Sequence, residues 1–170
     1  MRLLKIMTTL AIVLLGLVAA AVICGQMGLL AGRRPADLGP HEGRLKPPST
    51  TPNSVSSQAM LYPEHPQRAY ARIEPLRFSG DGRAAMQRLA RVLSDTQRTT
   101  LIRNEPTYLY AEVTTPLLKF TDDVEFLLDE SQGVIHVRSA SRIGRGDLGV
   151  NRKRIEEIRT RFAAAASTSF

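Results

Sequence analysis

The chain has one cysteine, no tryptophan, three histidines and only 5% aromatic residues, and each shortage excludes something. Cys24 lies inside an apolar run, so the rest of the chain can form neither a disulfide nor a thiolate metal site. His41, His65 and His136 show no ligand spacing with one another or with Asp and Glu, so no metal and no cofactor is expected. With so few aromatic platforms for bases, nucleic acid is not an expected partner. A Gly-x-Ser-x-Gly run is missing as well, and no residue is assigned a catalytic role.

The composition itself is that of one globular domain, 43% apolar and 23% charged over 170 residues. Net charge is +7, and beyond residue 31 there are 21 basic against 16 acidic residues. That excess suits solubility and also attraction to anionic lipid headgroups.

The first 31 residues form a hydrophobic segment, free of charge from Ile6 to Gly25 and apolar to Ala31. Twenty residues at about 1.5 Å each span a hydrocarbon core of roughly 30 Å. Two fates are open, a transmembrane anchor or a cleaved signal peptide led by Arg2 and Lys5. Cleavage after Ala19-Ala20-Ala21 leaves a long apolar remainder, Leu29-Leu30-Ala31 has a bulky residue at the critical place, and Ile23 is too large for acylation at Cys24. These features favour the anchor. Counting Arg33, Arg34, Arg44 and Lys46 against Arg2 and Lys5 puts the domain inside the cell. A single leading segment more often keeps its amino terminus inside. The expectation adopted is a bacterial-type inner membrane with the domain on the outer, periplasmic side.

Residues 32–69 hold seven of the ten prolines among many serines and threonines, which predicts a turn-rich arm, either a free spacer or one laid over the domain. Residues 70–163 are expected to be an α+β domain. Tyr70 to Phe78 reads as an edge strand. Ala85, Met86, Leu89, Val92 and Leu93 then fall at helical spacing. Thr99 to Arg103 and Thr107 to Thr114 form one hairpin, and Phe120 to Leu128 with Gly133 to Ile143 a second. A last helix opens at Asn151 as N-cap and buries Ile155, Ile158 and Phe162, before a frayed tail, residues 164–170. The order strand, helix, four strands, helix predicts a five-stranded antiparallel curved sheet with two helices on one face. It is the order of the TATA-binding-protein-like topology, an analogy without functional content.

Pairing Leu128 with Gly133 in the second hairpin places Asp122 opposite Ser139, on one face with Phe120, Val124 and Phe126. Asp123 opposite Arg138 and Glu125 opposite His136 then read as exposed charge pairs. Asp122, Asp123 and Glu125 could hold a hard cation only from a loop, and strand alternation separates them. A carboxylate sharing a face with large apolar residues costs several kcal/mol unless paired. Partners available to Asp122 are Ser139, Ser141, Arg142, Asn151, Arg152 and, from the arm, Asn53, Ser56 and Ser57. A structural network, a bulge that turns Asp122 outward and a functional carboxylate remain open. Gly144, Gly146 and Gly149, with Arg142, Arg145 and Arg152 nearby, fit either a tight loop or an anion site at a helix N-terminus.

Four separated motifs carry a resemblance: Pro52-Asn53-Ser54-Val55-Ser56-Ser57, Asp122-Asp123-Val124-Glu125-Phe126, His136 to Arg142, and Asp147-Leu148-Gly149-Val150-Asn151-Arg152. In this order they resemble the domain-of-unknown-function family numbered 1499, from Gly32 to about Phe162. The resemblance implies architecture and envelope or membrane association rather than a reaction. The family commonly has cysteines where this chain has Ser54 and Pro48, so thiol chemistry is absent here.

The expected function is a membrane-anchored envelope domain binding an anionic or amphiphilic ligand, such as anionic lipid headgroups, or another envelope protein. Its candidate ligand-binding residues are Asp122, Arg138, Ser139, Ser141, Arg142, Asp147, Asn151, Arg152, Asn53, Ser56 and Ser57. The alternative is an enzyme of unknown chemistry built around Asp122.

Overall fold

A computed structural model of the chain describes residues 1–167. The apolar run folds as α1 (Arg2–Gln26), long and apolar enough to cross a membrane, a property that anchors and signal sequences share. It stops before Ala31 because Gly28 turns left-handed, at φ +79°, and the N–H groups of Met27, Gly28 and Leu29 bond back into the last turn.

The remainder is α+β. In chain order come β1 (Ser54–Ser56), a 3-10 turn (Ala59–Leu61), α2 (Arg68–Ala71), β2 (Leu76–Arg77), α3 (Gly82–Ser94), β3 (Thr99–Asn104), β4 (Tyr108–Thr114), β5 (Thr121–Asp129), β6 (Val134–Ser141) and α4 (Val150–Ser167). The sheet is open and antiparallel, ordered β1-β6-β5-β4-β3, and β2 shares the outer edge of β6 with β1. It has six strands rather than five, because the arm contributes β1 between its prolines.

The two main helices cover one face as the periodicity requires. Asp81 caps α3 by accepting the N–H of Ala84, and α3 buries Ala85, Met86, Leu89 and Leu93 against Leu109, Phe126 and Val137. Ile155, Ile158 and Phe162 of α4 join the same core. The opposite face is closed by the arm, whose Leu38 and Leu45 pack on Tyr108, Tyr110 and Leu127. The arm is therefore a layer of the fold, not a free spacer.

Three local expectations are corrected. Residues 70–78 make only the two-residue β2 after the helical turn α2, because Pro75 offers no N–H to a ladder. The carbonyls of Tyr70 and Arg72 are met instead by Arg152, and that of Glu74 by Arg159. The second hairpin is shifted by two residues, so that Leu128 pairs with Ile135 and Asp122 with Ser141. Gly133 is left-handed and stays in the turn, while the Asp129 carboxylate accepts Ser131 Oγ and the N–H of Gln132 to close it. An even shift keeps every side chain on its face. Finally, α4 begins at Val150 and runs to Ser167, so residues 164–167 of the expected tail are helical and 168–170 lie outside the described residues.

Candidate functional site

Alternation along β5 sends neighbouring carboxylates to opposite faces, and each face holds its own polar cluster. On the helix side, Asp122 is 4% exposed and ion-paired with Arg154 of α4. Arg154 also donates to Ser139 Oγ at 3.0 Å and to Asn151 Oδ1 at 2.7 Å. Asn151, inside the first turn of α4 rather than capping it, donates Nδ2 to Ser141 Oγ and to the Asn53 carbonyl, both at 3.1 Å. Asn53 in turn donates Nδ2 to Gly144 O at 2.8 Å, while its buried Oδ1 has no hydrogen-bond partner among the described residues.

Asp147 does the capping. Its carboxylate accepts the N–H of Gly149 and of Asn151, the Asn151 amide and the Tyr70 hydroxyl. Burial alone would raise the Asp147 pKa, but the hydrogen bonds from Tyr70, Asn151 and Gly149 outweigh it and leave the carboxyl below its ordinary value. An internal carboxylate thus occupies the place where an anion would sit at this helix N-terminus.

The arm side overturns the reading of Asp123, Glu125 and Arg138 as exposed charges. Glu125 is 0% exposed and lies opposite Arg138, which it meets at 3.2 Å; the Tyr108 hydroxyl and the Gly39 N–H also donate to it. His136 is paired with Leu127 instead, its Nδ1 3.2 Å from Ser57 Oγ. Asp123 lies opposite Ala140 and is held by Arg142 from β6's end, Nε reaching both carboxylate oxygens at 3.1 Å. Arg142 also pairs with Glu112, which accepts Arg34 of the arm at 2.6 Å. Tyr110 donates to Asp123 at 2.6 Å. Three carboxylates thus face three guanidinium groups, a balanced cluster that clamps the arm to the sheet. The sequence missed it because a residue pointing away from the helices was read as pointing to water.

The candidate residues therefore separate. Asp122, Ser139, Ser141, Asn151, Asp147 and Asn53 meet in one cluster, while Arg138 and Arg142 belong to the other. Arg152 binds the carbonyls of Tyr70 and Arg72, Ser56 Oγ accepts the Gln58 N–H, and Ser57 bonds the Val137 backbone. Arg154 was legible in principle, since it sits three residues after Asn151, in phase with the buried stripe.

Beside the first cluster lies an open cleft of about 350 Å³ between α4 and the ends of β3 and β4. Arg98, Lys153 and Arg154 line it with Glu157, several threonines, Val113, Pro116, Val150 and Ile158. Asp122 is not among its lining residues. The cleft is at the end of the sheet where α1 arrives: Gln26 Nε2 donates to Leu117 O at 3.0 Å, and a Cβ on Gly25 would come within 2.6 Å of Leu118 O.

Residues 44–162 match the model of a family described as a protein of unknown function, DUF1499. No curated protein and no solved structure matches the chain. A match over well more than half of the sequence, covering all six strands and reaching into α4, settles membership: the chain belongs to the DUF1499 family of proteins of unknown function.

Proposed function

We propose that this chain is an uncleaved, membrane-tethered envelope domain that binds an anionic amphiphile and does no chemistry, in the cleft between α4 and the β3–β4 end. The observation that carries the reading is the cleft's lining. Arg98 forms no ion pair among the described residues, Lys153 and Arg154 add positive charge that Glu157 and Asp122 partly offset, and threonine hydroxyls supply donors, beside Val113, Pro116, Val150 and Ile158. Such a mixture suits a ligand with a charged head and an apolar body.

Retention of α1 is supported by its close seat on the domain, since the last turn touches Leu117 and Leu118. A segment destined for removal has no need of that contact. Placement on the outer side of a bacterial-type inner membrane follows the amino-terminal-inside habit of single leading segments. An enzymatic role for Asp122 finds less support, because Arg154 neutralises it and stands on the cleft wall in its place.

The test is a titration of the full chain in neutral-lipid nanodiscs with short-chain phosphatidylglycerol, phosphatidylcholine and inorganic phosphate. Saturable binding of the first, at least about tenfold weaker in the Arg98→Ala/Lys153→Ala double variant, is expected, since losing 1.4 kcal/mol is one decade. Equal binding of both lipids, or no loss in the double variant, removes the cleft as the site. Binding of phosphate alone at the same strength removes the apolar half of the reading.

A further inference from the structure

We infer that the anchor end of the domain is a second membrane contact: the loops 115–120 and 143–150 seat on the bilayer that holds α1, with Leu148 as their apolar tip. Leu148 is 102% exposed and sits at φ +50°, a left-handed conformation that a leucine adopts only under constraint. The constraint is the Asp147 carboxylate, which ties the N–H groups on the far side of Leu148 while its own N–H bonds Pro52 O. A buried, fully bonded hub thus holds a bare leucine outward.

Leu148 has company at the same end. Leu117, Ile143 and Val150 are exposed too, and Met27 and Leu29 lead out of α1 beside them. The two turns at the opposite end of the sheet, Asn104-Glu105-Pro106 and Glu130-Ser131-Gln132, are polar. Met60, Leu61 and Ile102 are exposed elsewhere, but four exposed apolar residues, Leu117, Ile143, Leu148 and Val150, gather at the end where the anchor enters, and such a gathering is what a bilayer selects.

Proximity and charge agree. Gly25 packs on Leu118, and Gly32 is so close to Arg142 and Ile143 that a Cβ there would come within 2.7 Å. Both loops are therefore within a few residues of the membrane exit. Lys119 and Arg145 on the loops, and Arg33 just after α1, form no ion pair among the described residues, and the only acid in the loops, Asp147, is buried. Basic groups around an apolar tip match anionic headgroups around acyl chains.

The inference rests on α1 being an anchor, and the experiment separates the two. Full-length chain in a Cys24→Ala background carries one nitroxide at a time, through Leu10→Cys, Leu148→Cys, Ile143→Cys or Glu130→Cys. It is reconstituted in nanodiscs of equal parts phosphatidylcholine and phosphatidylglycerol. Relaxation by oxygen, which concentrates in lipid, is compared with relaxation by a water-soluble nickel complex. The labels at 148 and 143 are expected to respond mainly to oxygen, as the label at 10 does, and the label at 130 mainly to nickel. Nickel-dominated labels at 148 and 143 overturn the inference while a lipid-exposed label at 10 leaves the anchor standing. Labels at 148 and 143 shielded from both reagents overturn it in favour of a protein contact. A label at 10 outside lipid overturns the anchor and the inference together.

Discussion

Asp122 and Asp123, consecutive on β5, are each almost fully buried and each meet a different arginine on opposite faces of the sheet, Arg154 on α4 for the first and Arg142 at the end of β6 for the second. The pair of carboxylates therefore fastens two layers, a helix on one side and the proline-rich arm on the other.

Removing one partner leaves a buried charge alone. Arg154→Met is expected to destabilise the domain by about 3–5 kcal/mol, while Arg154→Met with Asp122→Asn costs clearly less, since an uncompensated buried charge is the larger penalty. Urea unfolding of both variants checks this. Equal losses would mean that the single variant suffers from lost packing rather than from the orphaned carboxylate.

Arg142 bonds Asp123 through both carboxylate oxygens and Glu112 besides. A lysine cannot reproduce that fork, so Arg142→Lys is expected to cost about 1–3 kcal/mol and to loosen the arm, since hydrogen bonds to charged groups are worth that much. Faster hydrogen exchange at Gly39 and Leu45, with exchange in α3 unchanged, is the readout. Uniform acceleration would place the effect in global unfolding.

Acid should weaken the fold in two stages. Burial is the main influence on His136 and lowers its pKa below 6.5, opposed by Asp129, so the unfolded chain takes up a proton before the folded one does. The contribution of neutral His136 is complete above about pH 6.5 and shrinks as pH falls below it. Asp147 and Glu112, both held below their ordinary values of 3.8 and 4.5, add stability that is complete above those values and is lost as pH falls further. The urea midpoint followed from pH 8 to 3 should decline in both windows, and His136→Gln should flatten the upper one only.

Leu148→Gly relieves a left-handed leucine whose side chain buries nothing. A gain of about 1 kcal/mol in domain stability is expected, since a left-handed L-residue costs roughly 1–2 kcal/mol and glycine's extra chain entropy returns part of it. The same variant should expose loop 143–150 to proteolysis in nanodiscs. A variant that is less stable would show that the leucine holds the loop together.

Gly25→Val forces a side chain into the Leu118 backbone, where even a Cβ finds 2.6 Å. The expected outcome is protease cleavage between Met27 and Arg34 with domain stability changed by less than about 0.5 kcal/mol, as for a site outside the core. Cleavage at the wild-type rate would mean that the anchor and the domain are already uncoupled.

The sequence by itself determined the apolar helix, the α+β class, the succession of hairpins and the phase of α3 and α4. These depend on periods of 2 and 3.6 and on local turn residues, which neighbouring positions encode. It also placed Asp122 on the helix face correctly, because a two-residue slip in register does not change parity. Tertiary structure decided what covers the other face. Asp123, Glu125 and Arg138 look solvent-exposed in a strand pattern, and only the arm folding back over Tyr108 and Tyr110 makes them buried. Arg154 as the partner of Asp122, and an unprotected Leu148 beside the end of the anchor, were likewise beyond reach of local pattern, since both follow from how separate segments meet in space.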